Sequence, residues 1–401
     1  MKKLNKYQEQ LLSVISFALF GGDESVEKIW PETLKEANLQ AVLTLVSQDK
    51  GVLSDFHISH TQTLVNNVRI DYEHTEVHKL MTKAKIPYVI LKGSASAFYY
   101  PEPMLRTMGD VDFLVNPSDI NRTDKILREN GFSPVENNKH SNHLAYRRAG
   151  FGVYSTWELH WKPVGIPNSA IGTRIEKYLS DIIDTAYRRE TVECEYMLPS
   201  PFHHGLVMLL HVAEHLTSTG IGLRHLCDWA VFAAKFSDEE FCKMFEDKLK
   251  TVGLWRFAQL LTQLSIKYLN CPQKAWCGKG DDTYLEDMII DIMSGGNFGI
   301  KDSKRVEQRK YMVNARRGTI DDTNPFKQAF LTINEKGKRE LPIVSTLPVL
   351  SPVAWLYVVV QYLLHLLQGK RQVVNVKDMI TGASERKEIY KEFRLFEAEK
   401  K

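Results

Sequence analysis

Apolar residues recur at three- and four-residue spacing over residues 4–20, 31–48 and 59–84, as in Leu34, Ala37, Ala41 and Leu45, and this predicts three helices. Pro31 stands near a helix start and Gly51 beyond a helix end. The period changes at Tyr88-Val89-Ile90-Leu91, a β-rich apolar run followed by Lys92-Gly93-Ser94 and the helix-compatible Ala95 to Tyr100, which reads as strand, turn and helix start. Residues 109–115 alternate, with Val111, Phe113 and Val115 on one strand face and Asp110 and Asp112 on the other. A capping loop at Asn116 to Asp119 precedes a helix over 120–130 closed by Gly131, and Phe132 to Val135 reads as a short strand. Residues 143–148 and 152–161 alternate around Ala149-Gly150 as a hairpin.

From Pro199 the pattern is helical again, over 201–217, 223–234, 238–249 and 255–269. Residues 276–345 are polar, with Gly295-Gly296, a basic run from Lys301 to Lys310 and Arg316-Arg317, and long loops are expected there. Val353 to Leu367 is apolar but interrupted by Gln361 and His365 and followed by Gly369-Lys370-Arg371. At fifteen residues it falls short of a bilayer span of about twenty. A buried helix is the first reading and contact with a membrane surface the second. The Lys/Glu-rich tail from Lys387 reads as solvated. The fold class expected is α+β, divided into a helical region over 1–58, a sheet-containing core over 59–198, a helical domain over 199–275 and a loop-rich region with one apolar helix over 276–401.

With 401 residues, 43% of them hydrophobic, the chain can bury a large core and form two or three domains. A net charge of +3 and a pI near 8.4 fall short of the basic footprint of a dedicated nucleic-acid binder. Small molecules or peptides are the simpler partners, although an RNA end is not excluded. Five cysteines without Cys-x-x-Cys spacing suggest neither a disulfide framework nor a zinc knuckle, and fit a reducing cytoplasm. Lys3 followed by Leu11 to Phe20 superficially resembles a signal peptide. Asn5 to Gln10 interrupts it and no small-x-small site follows, so an amphipathic helix is expected instead.

The chemistry is concentrated between Tyr88 and Val115. Gly93 lets backbone approach a ligand closely, free N–H groups at a helix start attract phosphate, and the Ser94 hydroxyl can add a donor. Asp110 and Asp112 repel one another on one strand face unless cations neutralise them, and an oxygen-rich pair suits Mg²⁺ with a bound phosphate completing the shell.

The order Leu91-Lys92-Gly93-Ser94, Tyr100-Pro101, Arg106 and Gly109-Asp110-Val111-Asp112 resembles the polymerase β-like nucleotidyltransferase superfamily, and more narrowly its uncharacterised bacterial branch. The likeness covers about residues 60 to 235 and is specific as a combination only. It implies a mixed-sheet core flanked by helical regions, a Gly-Ser turn holding a triphosphate, two Asp residues holding two Mg²⁺ ions, and a third carboxylate on a later strand. Tyr99 to Pro103 makes the gap between the Gly-Ser turn and Asp-x-Asp longer than in much of the superfamily. Glu158, which shares a face of the hairpin's second strand with Tyr154, Thr156 and His160, is the third carboxylate on this reading; without the motif it would pass as an exposed strand glutamate.

Arg106 reads as a solvated loop charge or as a fork clamping a phosphate or an Asp, and the resemblance favours the fork. Lys92 points either into the site or away; inward, it joins Gly93, Ser94 and Arg106 around the nucleotide. His211-Val212-Ala213-Glu214-His215 matches the H-x-x-E-H pattern of zinc peptidases, but hydrolysis would leave the upstream motif unexplained. His211, His215, Arg224 and Asp228 form either a polar face towards an acceptor or a set of structural histidines and a helix ion pair; a Gly-Leu-Arg followed by Asp in the resembling branch favours the acceptor. The expected activity is metal-dependent transfer of a nucleoside monophosphate from an NTP such as ATP to a hydroxyl-bearing acceptor. The alternative is a non-catalytic relative that binds nucleotide or docks a partner.

Overall fold

The computed structural model describes residues 3–21, 28–46, 54–135, 142–150, 153–190, 194–314, 317–320, 324–367 and 376–398. Gly51, Gly152, Arg316 and Gly369-Lys370-Arg371 lie outside the described residues. Helices α1 (Lys6–Phe20), α2 (Pro31–Leu39), α3 (Leu43–Val46) and α4 (Ser54–Ala84) lead into β1 (Tyr88–Ile90), the single turn α5 (Ser94–Ala97) and β2 (Val111–Val115). There follow α6 (Ile120–Glu129), β3 (Ser133–Pro134), β4 (His143–Gly150), β5 (Val153–His160), α7 (Ala170–Tyr178), β6 (Tyr187–Glu190) and β7 (Glu195–Leu198). The remainder is helical: α8 (Pro201–Thr217), α9 (Leu223–Ala234), α10 (Asp238–Val252), α11 (Trp255–Leu269), α12 (Asp282–Gly295), α13 (Arg305–Met312), α14 (Pro325–Glu340), α15 (Ser351–Leu367) and α16 (Val376–Tyr390).

The fold is α+β, built on a mixed five-stranded sheet of order β1-β2-β5-β4-β3. Among the described strands only β2 and β5 run parallel, and their register sets Asp112 beside Glu158 and Val111 beside Trp157. Alternation then sorts the faces. Val111, Phe113, Val115, Trp157 and Leu159 bury against Ile70, Val77 and Met81 of α4. The opposite face gives Val89, Leu91 and Leu114 to a second apolar core shared with α8 to α12 and with α1 to α3. The sheet is therefore covered on both sides, and Asp112 lies between it and the helical core.

The helices of that core form where the sequence expects them, for local reasons. Pro201 sits at the first position of α8 behind Ser200, and Ser237 and Glu240 cap one another at the start of α10. Gly205 lets α8 pack close: a Cβ there would lie 2.6 Å from the Phe245 ring and 2.9 Å from that of Phe232.

The structure departs from the sequence reading in four places. The tail from Lys387, expected to be solvated, buries Tyr390, Phe393, Leu395 and Phe396 in the helical core. The helix expected over 31–48 breaks at Gln40-Ala41, because the buried Gln40 amide accepts from Leu223 N and donates to Met293 O, and Ala41 turns left-handed to allow it. Among the described residues, 276–345 holds the helices α12, α13 and α14 instead of long loops. Asp281 and Asn324 cap two of them, and Leu285, Met288, Ile289 and Ile292 bury one face of α12. Their polarity belongs to solvent-facing sides and to the buried ion pair of Arg305 with Asp291. The apolar helix α15 is not buried: Leu356 is 64% exposed, with Val353, Val360, Leu363 and Leu364 also open. Among the described side chains, its inner side offers Ala354 and Val358 to the protein as buried apolar residues, and α14 covers one flank.

Candidate active site

At the end of β1 the chain turns at Gly93, whose φ of 57° is the left-handed region where a side chain is strained. A Cβ at Gly93 would also meet His74 Cε1 at 3.5 Å and Asp110 O at 3.8 Å. The Ser94 hydroxyl, expected to donate to a phosphate, is committed to α4 instead. Buried, it donates to Asp71 Oδ1 at 2.6 Å and meets His74 Nδ1 at 2.9 Å, so it ties the turn to α4. Helix α4 also fixes the loop that follows. Asn67 donates to Met104 O and Arg106 O and accepts from Met108 N, and Asn66 donates to Met108 O. The lengthened stretch before Asp110 is thus held by side chains from upstream.

Asp110, Asp112 and Glu158 converge, with ligating oxygens within 4.8 Å of one another. Lys92 points inward, its ammonium 2.9 Å from Asp112 Oδ1. His160, which the sequence reading leaves without a role, places Nε2 2.9 Å from Asp112 Oδ1 and 3.2 Å from Glu158 Oε2. His143 approaches Glu158 at 3.7 Å from the neighbouring strand, and His143, Glu158 and His160 form a second group of ligating atoms within 4.8 Å. Alternation carried the signal for His160, two residues beyond Glu158 on the same face.

Charge is distributed unevenly here. Repulsion from Asp112, aided by burial, lifts the Asp110 carboxyl to about 6. Burial pushes Asp112 the same way, but Lys92 and His160 outweigh it and hold that carboxyl well below the usual range. Asp110 accepts no hydrogen bond and forms no ion pair among the described residues. Of the three carboxylates, Asp112 is paired with Lys92 and His160, Glu158 with His160, and Asp110 with none of the described residues, a donor set suited to a hard divalent cation.

These groups open into a cavity of about 1430 Å³, whose walls include Lys92, Gly93, Arg106, His211, His215 and Arg224. That exceeds the roughly 300–1,000 Å³ of a pocket for one small molecule and leaves room for two substrates. Arg106 lies at the wall but is committed elsewhere: Nε and Nη2 grip the two oxygens of Asp228 at 2.8 and 2.7 Å, and Tyr100 donates to Asp228 at 2.8 Å. This buried pair joins the loop before Asp110 to α9, so neither residue is free for a phosphate or an acceptor. Arg224 is different. It donates to Thr107 O at 3.2 Å, lies 5.3 Å from the Phe298 ring centre and forms no ion pair among the described residues.

His211, His215 and His225 cluster with ring centres 4.4 to 6.0 Å apart, and burial holds all three neutral, His215 at about 4. Glu214 turns from them to a bidentate ion pair with Arg309. A peptidase-type zinc site therefore lacks its base, and these histidines join no three-ligand group among the described residues.

His204, stacked on Tyr99 at 5.3 Å, is also buried and held at about 4. Its folded value lies below the ordinary one near 6.5, so its stabilising share is present above that value and is lost as pH falls towards 4. Denaturant titrations at about pH 7 and pH 5 should show His204→Phe losing roughly 2 kcal/mol less than the parent over that interval. Equal losses would contradict the assignment.

A family model described as uncharacterised nucleotidyltransferase matches residues 24–270, which includes the turn, all three carboxylates, the histidine cluster and Arg224. The chain belongs to this nucleotidyltransferase family. Membership makes nucleoside monophosphate transfer from an NTP its general activity. No protein of curated function matches it in sequence. Among solved structures it is similar to an antigenic nucleotidyltransferase-like protein from Paracoccidioides brasiliensis, at 16% identity over 51% of this chain and 94% of that one, with a TM-score of 0.34. That likeness is too slight to carry an argument. Helices α12 to α16 lie beyond the matched residues, yet α13, α14 and α15 supply the cavity's far wall.

Proposed function

We propose that this nucleotidyltransferase moves a nucleoside monophosphate from an NTP, ATP being the first to try, onto a hydroxyl-bearing small molecule or peptide in a divalent-cation-dependent reaction. The observation that carries this reading is the parallel β2–β5 register, which brings Glu158 from 46 residues downstream to Asp112 and so assembles three carboxylates at one cavity wall. The uncompensated Asp110 beside them fits two Mg²⁺ ions held by Asp110, Asp112 and Glu158. When bound, such ions supply Lewis-acid activation of the acceptor oxygen and neutralise the leaving group.

The remaining work falls to the chain itself. Lys92 and Arg224 are among the cations that line the cavity, and the turn at Gly93 lets backbone approach the phosphates. His211 and His215, neutral and at the wall, line the path of the acceptor. The acceptor oxygen bonds to the α-phosphorus, its proton passes to water, and the bond from the α-phosphorus to the bridging oxygen breaks to release pyrophosphate. A cytoplasmic setting suits the five free cysteines.

Calorimetry of NTP binding with Mg²⁺ and with chelator tests the reading. The affinity should fall by at least about tenfold on chelation, on the order of 1.4 kcal/mol. Equal affinity without metal would favour a nucleotide-binding module that carries out no transfer.

A further inference from the structure

The far wall of the cavity leads to a feature that nucleotidyl transfer does not explain. Helix α15 is two-faced. Val358 and Tyr362 line the cavity, while Val353, Leu356, Tyr357, Val360, Leu363 and Leu364 are open to solvent. Those six fall at i, i+3, i+4, i+7, i+10 and i+11, which is one face of a helix. The apolar surface continues onto Phe326 and Phe330 of α14 and onto Val349, the last 80% exposed, in the connection between them. A contiguous apolar surface of this kind marks an interaction site and is unlike the scattered exposure of an ordinary surface.

Charge indicates what covers it. Helix α14 carries four basic residues, Lys327, Lys336, Lys338 and Arg339, against two acidic ones, Glu335 and Glu340. Lys327 and Arg339 are exposed on α14 itself. An apolar face bordered by Lys and Arg is the composition that settles into the headgroup region of an anionic bilayer. A span is a poorer fit. Helix α15 has 17 residues, at the lower end of the length that crosses a bilayer. Its Trp355 is also bound to α14, through Asn334 at 3.0 Å and the Phe330 ring at 4.9 Å.

We propose that the exposed face of α14 and α15 seats the protein on an anionic lipid surface, with α15 lying in the plane of that surface and its inner side forming the cavity wall. The inference is independent of which nucleotide or acceptor the protein uses. The test is co-sedimentation of the full chain with phosphatidylcholine vesicles, with and without an equal part of phosphatidylglycerol. The protein should pellet with the anionic vesicles at least about tenfold more than with the neutral ones, and salt should release it. Leu356→Glu with Leu363→Glu should remove vesicle binding while leaving NTP binding unchanged. The milder pair Lys327→Glu with Arg339→Glu, at exposed positions, should weaken it in the anionic vesicles alone. Parent protein that stays in the supernatant with both vesicle types would overturn the proposal. So would concentration-dependent self-association without vesicle binding, which would assign this face to a second copy of the chain.

Discussion

Asp110→Asn is expected to lower transfer of nucleotide label by about a thousandfold or more, while the protein stays as stable as the parent at neutral pH or becomes more so. The two halves of this result have one cause. Asp110 has no hydrogen bond or ion pair among the described residues, and its carboxyl is raised to about 6 by Asp112 nearby and by burial. An acid whose folded value lies above its unfolded one binds its proton more tightly when folded, so stability falls as pH rises from about 4 towards 6. Asparagine removes that repulsion and should return roughly 1–3 kcal/mol above pH 6. It also removes a cation ligand. Denaturation and turnover measured on the same preparation check both halves, and a variant that is destabilised or still active would contradict the account. Glu158→Gln should lose activity similarly.

Arg106→Ala is expected to destabilise the protein by roughly 3–5 kcal/mol, because it leaves Asp228 as a buried, unpaired charge. Both partners are almost fully buried, the contact is bidentate, and Tyr100 adds a third bond to the same carboxylate. The pair fastens the loop that carries Asp110 to α9, and so to the helical core. An apolar replacement of both partners, Arg106→Met with Asp228→Leu, should recover most of the loss, and NTP affinity should stay close to that of the parent. Were Arg106 instead a phosphate clamp, Arg106→Met would weaken NTP binding strongly with little change in stability. Parallel melts and calorimetry separate the two roles.

The contrast between Asp110 and Arg106 shows what was legible in the chain. Alternation along β2 and β5 placed Asp110, Asp112 and Glu158 on their faces, because side-chain direction in a strand follows from backbone geometry alone. The helices α8 and α10 were equally plain, since caps and apolar period agree. The commitments of Ser94 and Arg106 were not. Asp71 lies 23 residues before Ser94 and Asp228 lies 122 residues after Arg106, and no local pattern records which distant carboxylate meets a given donor. For α15 the period shows which residues share a face but is silent on what covers that face. The apolar sequence therefore reads as core, although its stripe lies open.

The most direct measurement of the central claim follows two labels. The protein is incubated with Mg²⁺, a cell extract as the source of acceptor, and NTP labelled at either the α- or the γ-phosphate. The three-carboxylate site requires that α-label appear on an acceptor and γ-label in pyrophosphate, with both products lost on chelation and in Asp110→Asn. Transfer of γ-label to the acceptor, or α-label incorporated equally by parent and Asp110→Asn, would contradict it.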